Sequence, residues 1–312
     1  MRVHTSISAY DSDVPAVVTI GTFDGVHIGH KEIIKRLNDV AAKENLESVV
    51  LTFFPHPRMV LQKESEIKLI NTIAERKEIL SKTGLKHLII HPFTSQFSRL
   101  TALEFVRDIL VKKLHVKKII IGYDHRFGRN RTATIDDLKL FGNQYGFEVE
   151  EISAQQLDAV SVSSTKIRKA LAEGDIQTAN AYLGYPYTLH GTIVKGKGIG
   201  HKLGYPTANL KIAEAYKLIP KNGVYVARSA INGKEVFGLT SIGTNPTVGG
   251  TSQTIETFFL DTDCDLYGST ITIEMLTKIR NEEKFASVEA LQSAIKKDES
   301  FARNFLAENY AQ

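Results

Sequence analysis

Apolar and polar positions follow two different rhythms along the chain. In the first half, short apolar runs alternate with helical stripes. Residues 17–20 read as a short buried strand, after which Ile28, Ile33, Ile34, Leu37 and Val40 recur at helical spacing. That spacing predicts a helix opening at about Val26. Residues 48–54 predict a second strand, ended by Pro55 and Pro57, because proline cannot join a β-ladder. Asn71 or Thr72 caps a helix running to Ser81, with Gly84 placed as its C′ residue. Residues 87–90, 118–121 and 147–152 predict three more strands. Between them lie a helix opened by the capping box of Thr101 and Glu104 and running through Leu110, and a helix over 134–141. Alternating strands and helices predict a parallel sheet covered on both faces. Ligands bind such sheets beyond the carboxyl ends of the strands, where strand order reverses. The turn after Ile20, the Pro55-His56-Pro57 turn and the Gly122-Tyr123-Asp124 turn all follow strands, so one rim is expected to carry them.

Near Gly184-Tyr185-Pro186 the rhythm changes. Helical stripes thin out, and short strands are predicted over 187–194, 224–231, 235–242, 254–260 and 270–276, with Asn232-Gly233 as a type I′ hairpin turn. This pattern predicts a compact antiparallel β-barrel, closed by helices over 287–297 and the stretch that follows. Two domains are therefore expected, 1–184 and 185–312. The length of 312 residues agrees, since a typical domain takes roughly 100–200.

Composition narrows the classes. Apolar content of 42% and charged content of 24% are ordinary for a soluble globular protein. A net charge of +4 suits a handler of anionic small molecules and is too weak to imply nucleic acid. A single cysteine, Cys264, excludes an intrachain disulfide and fits a reducing cytoplasm. No apolar run is long enough to span a membrane, and residues 1–13 lack the apolar core of a signal peptide. The expectation is a cytoplasmic protein with no membrane or nucleic-acid partner; the sequence leaves its oligomeric state open.

The chemistry concentrates in a few stretches. Gly21 and Gly25 bracket a turn between strand and helix, and the helix start carries His27 and His30, three apart on one face. Free backbone N–H groups and the helix dipole make an anion site there, and Gly29 leaves room for a phosphate. The plainer alternative is two solvated histidines near a helix start. Arg126, Arg129 and Arg131 crowd around Gly128, as part of the same rim or simply a solvated basic loop. Ser163 or Ser164 caps a helix carrying Lys166 and Arg168; capping alone explains the serines, and a second anion-binding helix start is the functional reading. In the second half, Gly191-x-x-x-x-Gly196-Lys197-Gly198 is not a P-loop, because Gly198 stands where the Mg²⁺-ligating Ser or Thr belongs. Gly196, Gly198, Gly200 and Gly204 instead form a flap, or a plain glycine-rich connection, ahead of Thr207 and Asn209. These two residues offer neutral oxygen ligands of the kind Mg²⁺ takes alongside phosphates and water.

The pattern G-x-F-D-G-x-H-x-G-H over 21–30 resembles the signature of the HxGH nucleotidyltransferases. With Phe23-Asp24-Gly25 included, it is similar to the FMN adenylyltransferase half of the bacterial FAD synthetases. Two more segments resemble that half: Gly122, Asp124, Phe127, Gly128 and Arg131 match one loop, and Ser163, Ser164, Thr165, Ile167 and Arg168 match a helix start. His125 stands where an aromatic is usual, Thr132-Ala133-Thr134 replaces a small-Gly-Asp run, and Phe54 replaces an acidic residue before Pro-His-Pro. Residues 195–209 resemble the riboflavin kinase flap with its P-T-A-N motif. The likeness continues through Gly223-Val224-Tyr225, Asn245-Pro246-Thr247, Glu256, Asp265-Leu266-Tyr267-Gly268, Ile279-Arg280 and Phe285.

The resemblance implies a Rossmann-like nucleotidyltransferase domain followed by a barrel kinase. Its substrates would be riboflavin, FMN and ATP, its product FAD, and its metal Mg²⁺. It implies Glu256 as the general base toward the riboflavin hydroxyl, although a strand Glu is more commonly a surface ion-pair partner. Thr207 and Asn209 become Mg²⁺ ligands, and Gly196, Gly198 and Gly200 approach phosphates. In the first half His27, His30, Ser164 and Arg168 stabilise charge, with Gly21, Phe23, Asp24, Gly25, Gly29, Ser163 and Thr165 around the ATP phosphates. Asp124, Phe127 and Arg280 become flavin contacts. Rival readings are a non-catalytic flavin or nucleotide sensor, an RNA binder using the arginines at 126, 129 and 131, and a nucleotidyltransferase with another acceptor.

Overall fold

The computed structural model describes residues 1–62, 66–122, 126–152, 162–196, 200, 204–247, 250–262 and 264–310, without the side chains of 245–247 and 250–252. It divides into two compact units, Met1–Ser164 and Thr165–Gln312.

The first unit contains strands β1 (Arg2–His4), β2 (Ala16–Ile20), β3 (Glu47–Phe53), β4 (His87–His91), β5 (Val116–Gly122) and β6 (Glu148–Ile152). Its helices are α1 (Ile28–Glu44), α2 (Pro57–Leu61), α3 (Ile73–Ser81), α4 (Ala102–Glu104) and α5 (Ile135–Tyr145). The strands form one sheet in the order β1-β4-β3-β2-β5-β6, and every pair is parallel. Successive side chains take opposite faces: Val18, Leu51, Ile119 and Ile121 enter one core, while Val17, Val50 and Ile120 enter the other. From β2 the chain runs outward through β3 and β4, then crosses back to β5. The strand order therefore reverses at β2 and β5, and parallel pairing puts the ends of β2, β3 and β5 on one rim, as expected.

Local differences have local causes. Thr72, one of the two caps considered, caps its helix with a full capping box to Glu75, and the capping box at Thr101 forms as read, but the helix opened by Thr101 passes into π geometry over Phe105–Val111. Strand β1 has three residues and no run long enough to register as a pattern. The helix expected at Val26 begins at Ile28, because Val26 is turned into a positive-φ step (φ 36°).

The second unit begins with α6 (Ser164–Glu173, its first residue in the first unit) and α7 (Ile176–Leu183). Strands β7 (Tyr187–Val194), β8 (Ala208–Lys211), β9 (Gly223–Ile231), β10 (Lys234–Thr247), β11 (Gly250–Phe259) and β12 (Thr270–Asn281) follow, then α8 (Val288–Asn309). The strands close a barrel in the order β10-β11-β8-β7-β12-β9, all antiparallel. Asn232 and Gly233 both take positive φ (52° and 76°), the geometry of the expected hairpin turn. The closing helices are one helix: the polar run around Asp298 that interrupts the apolar stripe is absorbed because Asp298 is buried and paired with Arg280. Among the described residues, no helix is long and apolar enough to cross a membrane.

Compactness divides the chain ahead of the composition change near Gly184, and hydrogen bonds show why. Asn180 Nδ2 donates to the Met275 carbonyl at 2.8 Å, and its Oδ1 accepts from the Tyr187 N–H at 2.7 Å. The Lys221 N–H donates to the Leu171 carbonyl at 3.0 Å. A fragment starting at Thr165 should therefore outlast one starting at residue 185 in urea. Loss of bonds worth about 1 kcal/mol each predicts a gap of about 2 kcal/mol or more. Equal urea midpoints would mean that α6 and α7 add nothing to the barrel.

Candidate active sites

The first site is the turn between β2 and α1. His27 is the N-cap of α1: its Nδ1 accepts from the His30 N–H at 3.3 Å. At neutral pH its ring proton therefore sits on Nε2, which is left as the donor. The His27 and His30 rings stack with centroids 3.6 Å apart and planes 16° from parallel. A Cβ on Gly29 would touch the His27 ring only at an ordinary 3.4 Å. Burial pushes the His27 pKa down to about 4, against the pull of Asp24. Burial, then His27, then Arg76 hold His30 well below the usual range. Both rings are thus neutral in the free protein.

Asp24, expected among the residues around the ATP phosphates, is instead turned into the protein. It is fully buried; its Oδ2 accepts from the Ile70 N–H at 3.1 Å and its Oδ1 from the Asn71 N–H at 3.2 Å. Arg76 pairs with the same carboxylate at 3.3 Å and donates to the Thr22 carbonyl at 2.8 Å. A carboxylate turned inward in this way holds the turn and keeps negative charge off its outer face. Phe23 is likewise buried: its ring lies 4.9 Å from that of His30, and a Cβ on Gly21 would come within 3.1 Å of it. Gly25, with φ 89°, completes the turn. Ser164 Oγ donates to the Asp24 carbonyl at 2.8 Å, bringing the start of α6 to this turn. Ser163 precedes the helix; Thr165 and Arg168 lie on it, in the second unit. Phe127 is a core residue, 7% exposed and packed near Phe105, so it cannot serve as an open stacking platform. Asp124 lies outside the described residues.

Arg76 and Asn71 were missed by sequence reasoning. The available signal was Arg76 on the same helical face as Ile73 and Leu80, where an apolar residue belongs.

The second site is on the barrel. Register places Glu256 of β11 opposite Asn209 of β8, so both side chains share a face. Thr207 Oγ1 donates to Glu256 Oε2 at 3.1 Å. Asn209, Glu256, Gly196, Lys195, Lys211 and the buried Lys217 help line a cleft of about 620 Å³. A Cβ on Gly196 would fall 2.3 Å from Asn209 Nδ2, and one on Gly200 would fall 3.2 Å from Thr207 Oγ1. Glycine at 196 is what lets the chain approach Asn209, while at Gly200 it makes room first for the Tyr205 carbonyl, 2.4 Å from where a Cβ would sit. Gly198 lies outside the described residues. The donor set is all oxygen: a hydroxyl, an amide carbonyl and a carboxylate. Among the described residues no cluster of three His, Cys, Asp or Glu builds a metal site. A partial oxygen set of this kind fits a hard cation that completes its sphere with phosphates and water. Arg280 sits elsewhere, its Nη2 2.9 Å from Asp298 Oδ2 and its guanidinium over the Phe285 ring. It braces α8 against β12.

The first unit is a parallel sheet with a histidine-capped helix at its switch point, and the second is a barrel with an oxygen-lined cleft; each offers one candidate site. Comparison with known proteins gives the family. The FAD synthetase family model matches residues 10–166, and the riboflavin kinase model matches 183–306. The bifunctional riboflavin kinase/FMN adenylyltransferase of Listeria monocytogenes is 37% identical over 95% of this chain and 94% of its own. The Escherichia coli K12 protein of the same name is 36% identical over 93% and 92%. A solved Streptococcus pneumoniae structure, described as a macrolide-efflux protein, matches with a TM-score of 0.88 and 33% identity over 97% of this chain and 98% of that one. The chain belongs to the bifunctional riboflavin kinase/FMN adenylyltransferase family.

The His27 environment sets a pH dependence. With a folded-state pKa of about 4 against an ordinary 6.5, the unfolded chain takes up a proton that the folded one refuses. This stability is complete above pH 6.5 and declines as pH falls toward 4. Between pH 7.5 and 5 the loss is about 2 kcal/mol from this residue. His27→Asn keeps a capping oxygen and should flatten the decline, read as the difference in urea midpoints at the two pH values. An unchanged difference would show that His27 is not the group responsible.

Proposed function

We propose which residues carry each half of flavin-cofactor synthesis in this enzyme. One half phosphorylates riboflavin with ATP to give FMN. The other adenylylates FMN with a second ATP, giving FAD and pyrophosphate. The observation that carries the kinase assignment is the Thr207–Glu256 hydrogen bond opposite Asn209 in the barrel cleft. A neutral alcohol must lose its proton to attack phosphorus, and Glu256 is the acceptor at hand. Thr207 and Asn209 would hold Mg²⁺, which neutralises phosphate charge when bound. The close approach of Gly196 and Gly200 supports a flap that covers the phosphates.

In the first unit, the FMN phosphate is already an anion and needs no base. The site's work is positioning and charge stabilisation. His27 offers Nε2–H, the start of α1 offers backbone N–H groups, and His30 stacks behind His27. Ser164 donates to the Asp24 carbonyl of the same turn, and the resemblance of the segment over 163–168 to the family's helix start is the support for Arg168 as the residue that meets developing charge. The cytoplasm is the proposed location, on the single free cysteine Cys264.

Purified protein with riboflavin, ATP and Mg²⁺ should yield FMN and then FAD, separated by chromatography. His30→Ala should cut FAD formation by on the order of 10²–10³ and leave FMN formation near normal. Glu256→Gln should do the reverse, slowing FMN formation by roughly 10²–10⁴. A wild-type protein that binds flavin but turns over neither substrate would identify a sensor. With FMN supplied for the adenylylation assay, equal losses of both activities in either variant would refute the division of labour.

Thr207→Val keeps side-chain volume and deletes the hydroxyl. It should raise the Mg²⁺ needed for half-maximal FMN formation, with no change for FAD formation from supplied FMN. Superimposable Mg²⁺ titrations in the kinase assay would remove Thr207 from the ligand set.

A further inference from the structure

We propose that Arg76 is a positioning residue for adenylylation, acting through Phe23 on the stacked His30 and His27. The inference rests on the reading of the His27 turn given above. The Arg76 side chain is 2% exposed and grips the chain on both sides of Phe23. Nη1 donates to the Thr22 carbonyl at 2.8 Å, and Nη2 to Asp24 Oδ1 at 3.3 Å. Thr52 Oγ1 also donates to that Thr22 carbonyl, at 3.0 Å, so the segment before Phe23 is tied to β3 as well as to α3. Between these anchors Phe23 adopts φ 48°, a left-handed conformation that a bulky residue keeps only when its surroundings enforce it. Held so, the Phe23 ring packs against His30, and His30 stacks on His27. An unbroken line of contacts thus runs from a buried guanidinium to the two imidazoles.

Arg76 has a second effect on the same ring. His30 Nδ1 is buried and has no hydrogen-bond partner among the described residues. The charged and titratable groups that act on this ring are His27 from its own turn and Arg76 from α3, while Asp24 acts on His27. A fixed positive charge from α3 opposes protonation of His30 and adds to the effect of burial. Arg76 therefore supplies both a two-ended clamp and a charge. A lysine at this position would keep the charge and lose the clamp, because one ammonium cannot reproduce the planar fork.

The test uses the full-length protein with three variants: Arg76→Gln, Arg76→Lys and the double variant Arg76→Gln/Asp24→Asn. The double variant avoids leaving the Asp24 carboxylate buried without its counter-charge. FMN formation by the barrel is the internal control and should not change. In Arg76→Gln and the double variant, kcat for FAD formation should fall on the order of 10–100-fold, with the KM for FMN changing much less. Arg76→Lys should lose rate similarly. The ring resonances of His30, followed by NMR without substrates, should titrate at higher pH in Arg76→Gln than in wild type. In Arg76→Lys they should stay near the wild-type position. A folded double variant that makes FAD at the wild-type rate overturns the proposal. So does a loss of rate in Arg76→Gln with the His30 titration unmoved. Unfolding of the first unit in all three variants would also overturn it, leaving Arg76 as a stability residue. The titration needs no turnover, so a wild-type protein that makes no FAD would refute the assigned reaction and leave the link from Arg76 to His30 to be judged on its own.

Discussion

The first unit depends on one buried ion pair. Asp24 and Arg76 have side chains 0% and 2% exposed, and neither charge is tolerable there alone. Removing one partner of such a pair typically costs about 3–5 kcal/mol. Backbone N–H groups from Ile70 and Asn71 share the carboxylate, and the Thr22 carbonyl takes up another guanidinium N–H. Segments far apart in sequence must therefore meet at a single turn before either charge is satisfied. The turn between β2 and α1 is held on both sides of Phe23 for this reason, and His27 caps α1 at the end of that held turn.

The barrel reaches the same end by register. Pairing of Glu256 with Asn209 follows from the ladder between β11 and β8, and a slip of one residue would send Glu256 to the opposite face. Thr207 stands just ahead of β8, close enough for its hydroxyl to reach the carboxylate. Gly196 contributes no side chain, and the chain there fits against Asn209 because none is present. In one unit buried charge fixes the site; in the other, strand pairing fixes it.

Sequence patterns reached what local periodicity controls. β2 is legible because both of its faces are buried and its run is continuously apolar. β8 is not, because Ala208–Lys211 has one buried apolar residue and is a strand only through its neighbours β7 and β11. α8 reads as two pieces until Arg280 is seen to neutralise Asp298 inside it. Motif position does not reveal the tertiary partners of Asp24, Phe127 and Arg280 for one reason: a residue inside a functional motif can face either the ligand or the core, and only the fold decides. The partner of Asp24 lies 52 residues away, that of Arg280 lies 18 away, and Phe127 finds Phe105 across the core.

The different chemistries of the two sites follow from the state of the nucleophile. Riboflavin presents a hydroxyl, which attacks phosphorus only as its proton leaves, so a carboxylate in the cleft is useful despite its repulsion of the triphosphate. A bound cation compensates that repulsion, and the hydroxyl and amide oxygens beside Glu256 suit one. FMN presents a phosphate that is already anionic, and any carboxylate facing it would only repel. The first unit has an acidic residue inside its motif, yet the fold turns it inward and spends it on Arg76. What the turn keeps beside the start of α1 is a pair of stacked imidazoles, His27 and His30, whose pKa values burial holds below the usual range. Neutral donors attract two polyanionic substrates without the strong ground-state grip of fixed cations. Their hydrogen bonds strengthen as charge builds on the phosphoryl oxygens, and binding that grows toward the transition state is what accelerates a reaction. On the assignment proposed above, burial of the histidines serves catalysis as well as the fold.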